Sequence, residues 1–183
     1  MKTVYFVRYG ETSGNVGGYW QGPEEPLNLR GLEQADRVAN RAKNITIDRL
    51  IASTMTRAFQ TASAVATVIN LPIESSDLFC EIKDPSSVIS DGPDPDKDKV
   101  IETYRAERAA HIDEPLWRFE DEETKMEFFE RIKSALAYLA SLPEDNIMVV
   151  SHGNFIRSMI GFIIQEGRVV THMFDKKINK DGM

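Results

Sequence analysis

The sequence predicts an α/β fold: a mainly parallel sheet with helices on both faces, stacked as a three-layer sandwich. Three observations lead there. Short apolar runs, KTVYFVR (2–8), DRLIAS (48–53) and NIMVVS (146–151), alternate with longer segments of helical period. NIMVVS is apolar almost throughout, as a strand covered on both faces requires. Each run ends in a polar cluster, at the carboxyl ends of strands where parallel sheets hold ligands.

Taken in order, residues 2–8 form the first strand, short, β-branched and aromatic. Residues 9–29 read as loop, punctuated by Gly10, Gly14, Gly17, Gly18 and Gly22. A helix follows from Arg30 to Lys43, with Leu32, Ala35, Val38, Ala39 and Ala42 on one face. Residues 48–53 are the second strand, and Ser53 or Thr54 is placed to cap a helix running to Asn70. Pro72–Phe79 reads as a third strand. From Lys83 to Lys99, Pro85, Pro93, Pro95 and five aspartates mark a long loop or lid. Two helices follow, Asp96–His111 and Thr124–Leu142, the second with Met126, Phe129, Ile132, Leu136 and Leu139 in one stripe. Asn146–Ser151 is the last buried strand, Asn154–Gln165 the last helix, and residues 168–174 a closing edge strand. This layout is a single domain over 1–183, with 82–123 as a loop and helix lid over the site.

The chain carries 22 basic and 29 acidic residues, a net charge of −7, which argues against a nucleic-acid partner. A few converging arginines still make a positive pocket on an acidic protein. Cys80 is the only cysteine, so no intrachain disulfide forms, and a reduced, cytoplasmic setting is the expectation. Beside Phe79, Cys80 reads as a small buried filler. No run approaches the roughly 18 apolar residues of a membrane span, so no membrane partner is expected. No zinc-type ligand spacing occurs, and neither metal nor cofactor is implied.

The polar clusters carry the chemistry. Arg8 ends a buried strand and needs an anionic partner; the plain alternative is a salt bridge to a carboxylate. Arg57 stands in the first turn of a helix, where a cation opposes the helix dipole unless an anion binds too. Alone it would be an ordinary surface arginine; with Arg8 it suggests a phosphate-type site, because planar guanidinium forks match tetrahedral oxyanions. His152 follows an apolar strand and precedes Gly153, which places it with the other clusters. His111 and His172 have no such setting and read as solvent-facing or incidental. Glu81 opens the lid segment and is the candidate acid, the alternative being a solvated loop carboxylate. Trp20, Trp117 and Phe119 are candidates for pocket lining or for lid packing.

VRYGET with Asn15 following resembles the Arg-His-Gly-Glu-Thr signature of the histidine phosphatase superfamily, the phosphoglycerate mutase-like family. Leu29, Gly31, Gln34 and Ala35 resemble its next helix. Ser53, Arg57, Thr61 and Ala62 in STMTRAFQTA match its second block, Glu81 its acid, and VVSHGNFIR its last block. The similarity covers about residues 2–160, with four blocks in the family's order. It implies a phosphoglycerate mutase-like fold and phosphoryl transfer through the residue-9 position. Arg8, Arg57 and His152 would clamp the phosphoryl oxygens, Asn15 would help bind phosphate, and Glu81 would protonate the leaving group and then activate water.

The departure is Tyr9, where the family has its nucleophilic histidine. A free imidazole is largely neutral near pH 7, whereas a free phenol is mostly protonated and a poor nucleophile. A phosphotyrosine also lacks the labile N–P bond of phosphohistidine. The expectation is therefore a phosphate-monoester hydrolase that is inactive or strongly impaired. The alternatives are a pseudophosphatase that binds a small phosphorylated ligand or oxyanion without turnover, and a mutase-like phosphotransferase. Glu81-x-x-x-Pro85-Ser86 resembles the small bacterial phosphatases rather than the glycolytic mutases. The C-terminus reads as short for the family, which implies an exposed sheet edge and a possible homodimer.

Overall fold

The computed structural model describes residues 2–164. Its elements run β1 (Thr3–Arg8), α1 (Ser13–Gly17), α2 (Leu29–Ala42), β2 (Arg49–Ala52), α3 (Thr56–Ile69), β3 (Ile73–Ser75), α4 (Asp98–Ala110), α5 (Lys125–Ser141), β4 (Asn146–Ser151) and α6 (Gly153–Ile164). The expected edge strand at 168–174 lies outside the described residues.

The four described strands form one parallel sheet in the order β1-β4-β2-β3. Side-chain alternation separates two cores. Tyr5 and Val7 of β1, Leu50 and Ala52 of β2, and Met148 and Val150 of β4 pack towards α2 and α3. Val4, Phe6, Ile51, Ile147 and Val149 point the other way, onto α5 and α6. Helices on both faces explain why these strands are apolar at successive positions. Small residues, Ala35, Ala39 and Ala42 on α2 with Ala58 and Ala62 on α3, are buried where these two helices close over the sheet. On the opposite face the bulk comes from Phe128, Ile132 and Leu139 of α5 and Phe155 and Met159 of α6.

The register positions the site. Arg8 pairs with Ser151 and Ala52 with Val150, so β1, β4 and β2 end level with one another. The Tyr9 amide still bonds to the Ser151 carbonyl at 3.2 Å, and the Ser53 amide to the Val150 carbonyl at 3.0 Å. Three polar clusters far apart in sequence therefore leave the sheet side by side.

Several local expectations are corrected. The 9–29 loop contains the short helix α1, closed by a capping box between Thr12 and Asn15. Neither Ser53 nor Thr54 caps α3: its N-cap is Met55, without a side-chain cap bond. Ser53 Oγ instead lies 2.8 Å from His152 Nε2, and Thr54 Oγ1 donates to Asp77. The third strand is only Ile73–Ser75; the chain then turns through Asp77–Phe79 so that Phe79 plugs the core against Phe155.

Candidate active site

The turn after β1 is locked against the start of α2. A Cβ on Gly10 would stand 2.3 Å from the Gly31 carbonyl oxygen, and one on Gly31 would stand 2.0 Å from that of Glu11. Only two glycines allow this approach. The contact is fastened by the Glu11 amide donating to Gln34 Oε1 at 2.7 Å and by Asn28 Nδ2 donating to Glu11 Oε1 at 3.1 Å. From α3, Thr61 Oγ1 accepts the Gly10 amide at 3.1 Å. The Gly-Glu-Thr stretch and the α2 motif are thus scaffold that holds residue 9 in place.

Tyr9 is buried, and two guanidiniums lie over its ring, with Arg8 Cζ 5.1 Å and Arg57 Cζ 4.9 Å from the ring centroid. The His152 ring is 5.1 Å away, tilted by 55°. The phenolic oxygen accepts from Gln21 Nε2 at 3.2 Å and from Asn15 Nδ2 at 3.4 Å. Asn15, expected to bind phosphate, therefore has its side-chain amide turned to the phenol.

Arg57 is 3 % exposed. One Nη donates to the Gly22 carbonyl at 2.8 Å, the other contacts Met55 Sδ at 3.2 Å, and the buried Nε has no partner among the described residues. Among the described residues no carboxylate lies within 4 Å of Arg57 or of Arg8. Among the described residues the salt bridge set out as the plain alternative for Arg8 does not form, and Arg57 is not a surface arginine.

His152 is fully buried, and its Nδ1 has no partner among the described residues. Burial pushes its pKa down to about 2, and the charges of Arg57, Arg131 and Arg8 push the same way. The ring is therefore neutral at physiological pH, and it lies behind Tyr9 rather than in the cavity wall.

Glu81 is set in the N-terminus of α6. One carboxylate oxygen accepts the Asn154 amide at 3.0 Å; the other accepts those of Phe155 and Ile82, both at 3.1 Å. Burial raises its pKa, while those three hydrogen bonds and the charge of Arg57 pull it down. Its backbone is held by a residue that sequence reasoning missed. Arg131 on α5 donates to the carbonyls of Leu78, Cys80 and Glu81 at 3.2, 2.8 and 3.2 Å, and pairs with Glu123 at 2.7 Å. Arg131 reads in the sequence as one more helix arginine and gives no signal there.

Arg8, Tyr9, Asn15, Arg57 and Glu81 all line one cavity of about 850 Å³. Trp20 lines it too, whereas Trp117 stacks on His111 at 4.7 Å and Phe119 lies tilted against Tyr104 at 5.3 Å, neither of them lining the cavity. His111 is accordingly half-buried and bonded to Glu114 rather than solvent-facing; His172 lies outside the described residues. Cys80 is not a core filler: it is half-buried on the cavity wall, its Sγ 3.2 Å from both Ser53 Oγ and Thr54 Oγ1. Gln21, in the glycine-rich loop, also went unnoticed in the sequence. Among the described residues no cluster of side chains suits a metal ion, and no helix is long and apolar enough to cross a membrane.

The family described as "Histidine phosphatase superfamily (branch 1)" matches residues 4–175. The protein named "Probable phosphoglycerate mutase GpmB" from Proteus mirabilis is 30 % identical over 171 residues, covering 90 % of this chain and 75 % of the relative. Among solved structures, alpha-ribazole phosphatase from Shigella flexneri superposes with a TM-score of 0.74 at 24 % identity, covering 88 % of this chain and 79 % of that one. A histidine-to-alanine mutant of phosphoserine phosphatase from Entamoeba histolytica, in complex with phosphoserine, superposes with a TM-score of 0.70 at 20 % identity, covering 90 % and 81 %. The parallel sheet with helices on both faces is the fold of these neighbours, and the chain belongs to the histidine phosphatase superfamily, branch 1.

Proposed function

We propose that this chain is a phosphate-monoester hydrolase of the histidine phosphatase type whose turnover is strongly impaired by Tyr9. The observation that carries the reading is Arg57, a buried guanidinium that among the described residues has no carboxylate in contact and no partner for its Nε, facing the same cavity as Arg8. A buried charge without a counter-ion is costly, and a tetrahedral oxyanion supplies the missing charge and acceptors.

With histidine at position 9, the imidazole attacks phosphorus, the P–O bond of the ester breaks, and Glu81 gives its proton to the leaving oxygen. Glu81 then takes a proton from water, which cleaves the N–P bond and releases phosphate. Arg8, Arg57 and Asn15 hold the phosphoryl oxygens through both steps; His152, covered by the Tyr9 ring in this chain, joins them once the smaller imidazole at position 9 uncovers it, and the 82–123 segment closes over the ester as a lid. With Tyr9, the phenol takes the amide donors of Asn15 and Gln21 and brings a weak nucleophile into the seat. That same observation favours a second reading, a pseudophosphatase that holds a phosphorylated ligand on its arginines without turning it over. A cytoplasmic setting goes with both readings. So does a homodimer through the outer edge of β1, which has no partner strand among the described residues; light scattering tests it.

The test is phosphate release from an aryl phosphate by this chain and by Tyr9→His. The proposal expects Tyr9→His to be faster by at least about a thousandfold, with orthovanadate binding to both. Equal rates would sink it.

A further inference from the structure

Helix α4, in the 82–123 segment, is held to the domain by one plug. Among the described residues Tyr104 is the only side chain of α4 that is buried. Its hydroxyl accepts from Arg108 Nη1 at 2.7 Å and donates to Glu122 Oε2 at 2.7 Å, while Asp84 Oδ1 stands 3.5 Å away. A phenol has one proton to give, and Glu122 takes it. The other Glu122 oxygen accepts the Phe119 amide at 2.9 Å. Asp84 is left with the long contact and with Arg108 at 3.9 Å. Two carboxylates thus share one phenol and one guanidinium, and the cluster carries one uncompensated negative charge. One further proton cancels that charge and supplies the second O–H that the phenol lacks.

Asp84 is where that proton goes. It is half-buried and lines the cavity. Burial pushes its pKa up to about 6; Glu81 and Glu122 push the same way, while Arg108 and a hydrogen bond from the Trp20 indole pull it down. The remaining charges nearby are engaged elsewhere: Lys83 pairs with Asp121 at 2.9 Å, and the Arg105 guanidinium lies over Trp20 at 4.9 Å. Trp20 itself meets Tyr104 edge-on at 6.1 Å and accepts the Ser90 amide on its carbonyl at 2.8 Å. Asp84 is therefore the point at which α4, the Glu122 turn and the Trp20 wall of the cavity touch.

We propose that Asp84 is a proton-operated latch: α4 and the Trp20 wall close over the cavity when Asp84 binds a proton and loosen when it gives the proton up. The sign follows from linkage. With the segment open, Asp84 meets water and returns towards the free value of about 3.9. The closed form binds the proton more tightly, so closure gains as the pH falls, by about fourfold between pH 7.5 and pH 5.5. Access to the cavity arginines then depends on pH, whether or not the chain turns a phosphoester over.

The test is acrylamide quenching of Trp20 fluorescence in the Trp117→Phe chain, where Trp20 is the one remaining indole. Trp117 is removed because it stacks on His111 at 4.7 Å, and histidine as a class changes charge in this pH range. Between pH 7.5 and pH 5.5 the quenching constant should fall at least about 1.5-fold as the wall closes. Asp84→Asn on this background, neutral at every pH, should hold the low value at both. Arg108→Met removes the charge that keeps Asp84 ionised and should move the fall to higher pH by about one pH unit. His111→Gln should leave the response unchanged. A quenching constant that is flat or rises towards acid in the Trp117→Phe chain overturns the inference. So does a fall that survives Asp84→Asn or disappears in His111→Gln.

Discussion

Replacing Arg57 with methionine separates the needs of the site from those of the fold. The change removes a hydrogen bond from a charged donor to the Gly22 carbonyl, about 1.5–3 kcal/mol. It also removes the stacking of the guanidinium on Tyr9, about 1–2 kcal/mol. Against these losses stands the desolvation penalty of an ion buried without a carboxylate in contact, several kcal/mol, which methionine does not incur. The terms nearly cancel, so Arg57→Met should change stability by no more than about 1 kcal/mol, a Tm shift of about 2–4 °C in either direction. Oxyanion binding has no such compensation. Losing a charge-assisted, forked contact of about 2–3 kcal/mol weakens orthovanadate binding by roughly a hundredfold. The assay is thermal unfolding with and without orthovanadate, plus a direct titration. A loss of more than about 4 kcal/mol of stability with orthovanadate binding intact would refute the reasoning, because Arg57 would then serve the fold and not an anion.

Gly31→Ala should destabilise by at least about 3 kcal/mol, since the new Cβ falls 2.0 Å from the Glu11 carbonyl oxygen and the obstacle is backbone; urea unfolding measures it. His152 should remain neutral from pH 8 down to pH 5, with its ring 15N shifts unchanged, because burial holds its pKa far below the free value. The unfolded chain takes up that proton below about pH 6.5, so His152 contributes stability above that pH which is lost progressively as the pH falls towards its folded value. A stability-versus-pH series should therefore be flatter on the acid side in His152→Gln. Arg131→Met in the Tyr9→His chain should lower kcat about 10- to 100-fold with little change in KM, since it frees the backbone of Glu81 and touches no substrate; steady-state kinetics decides, and a KM effect alone would count against it.

The sheet was legible because its strands are buried on both faces and so stand out as apolar runs between helical periods. Arg8 and Arg57 were legible because cations at strand ends and helix starts are unusual without an anion, and Tyr9 because it stands where the resembled family has a histidine. What remained hidden depends on contacts across the fold. The cap at Ser53 was misread because His152, 99 positions away, draws its hydroxyl. Arg131 looks like any helix arginine until the Leu78–Glu81 carbonyls are seen to converge on it. Cys80 beside Phe79 suggested core, but the turn through Asp77–Phe79 sends Phe79 inward and leaves the thiol on the cavity wall. Glu81 was found as a carboxylate of interest, yet its seating in the α6 N-terminus has no local sequence signature.

The most direct test of a complete site disabled at one position is to trap the covalent intermediate. Both chains would be mixed with an aryl phosphate, quenched within one turnover, and mapped by mass spectrometry. The account predicts an acid-labile phosphoryl group on residue 9 of Tyr9→His and none on this chain. Phosphoryl label on any other residue, or fast turnover by this chain with Tyr9 unmodified, would contradict it.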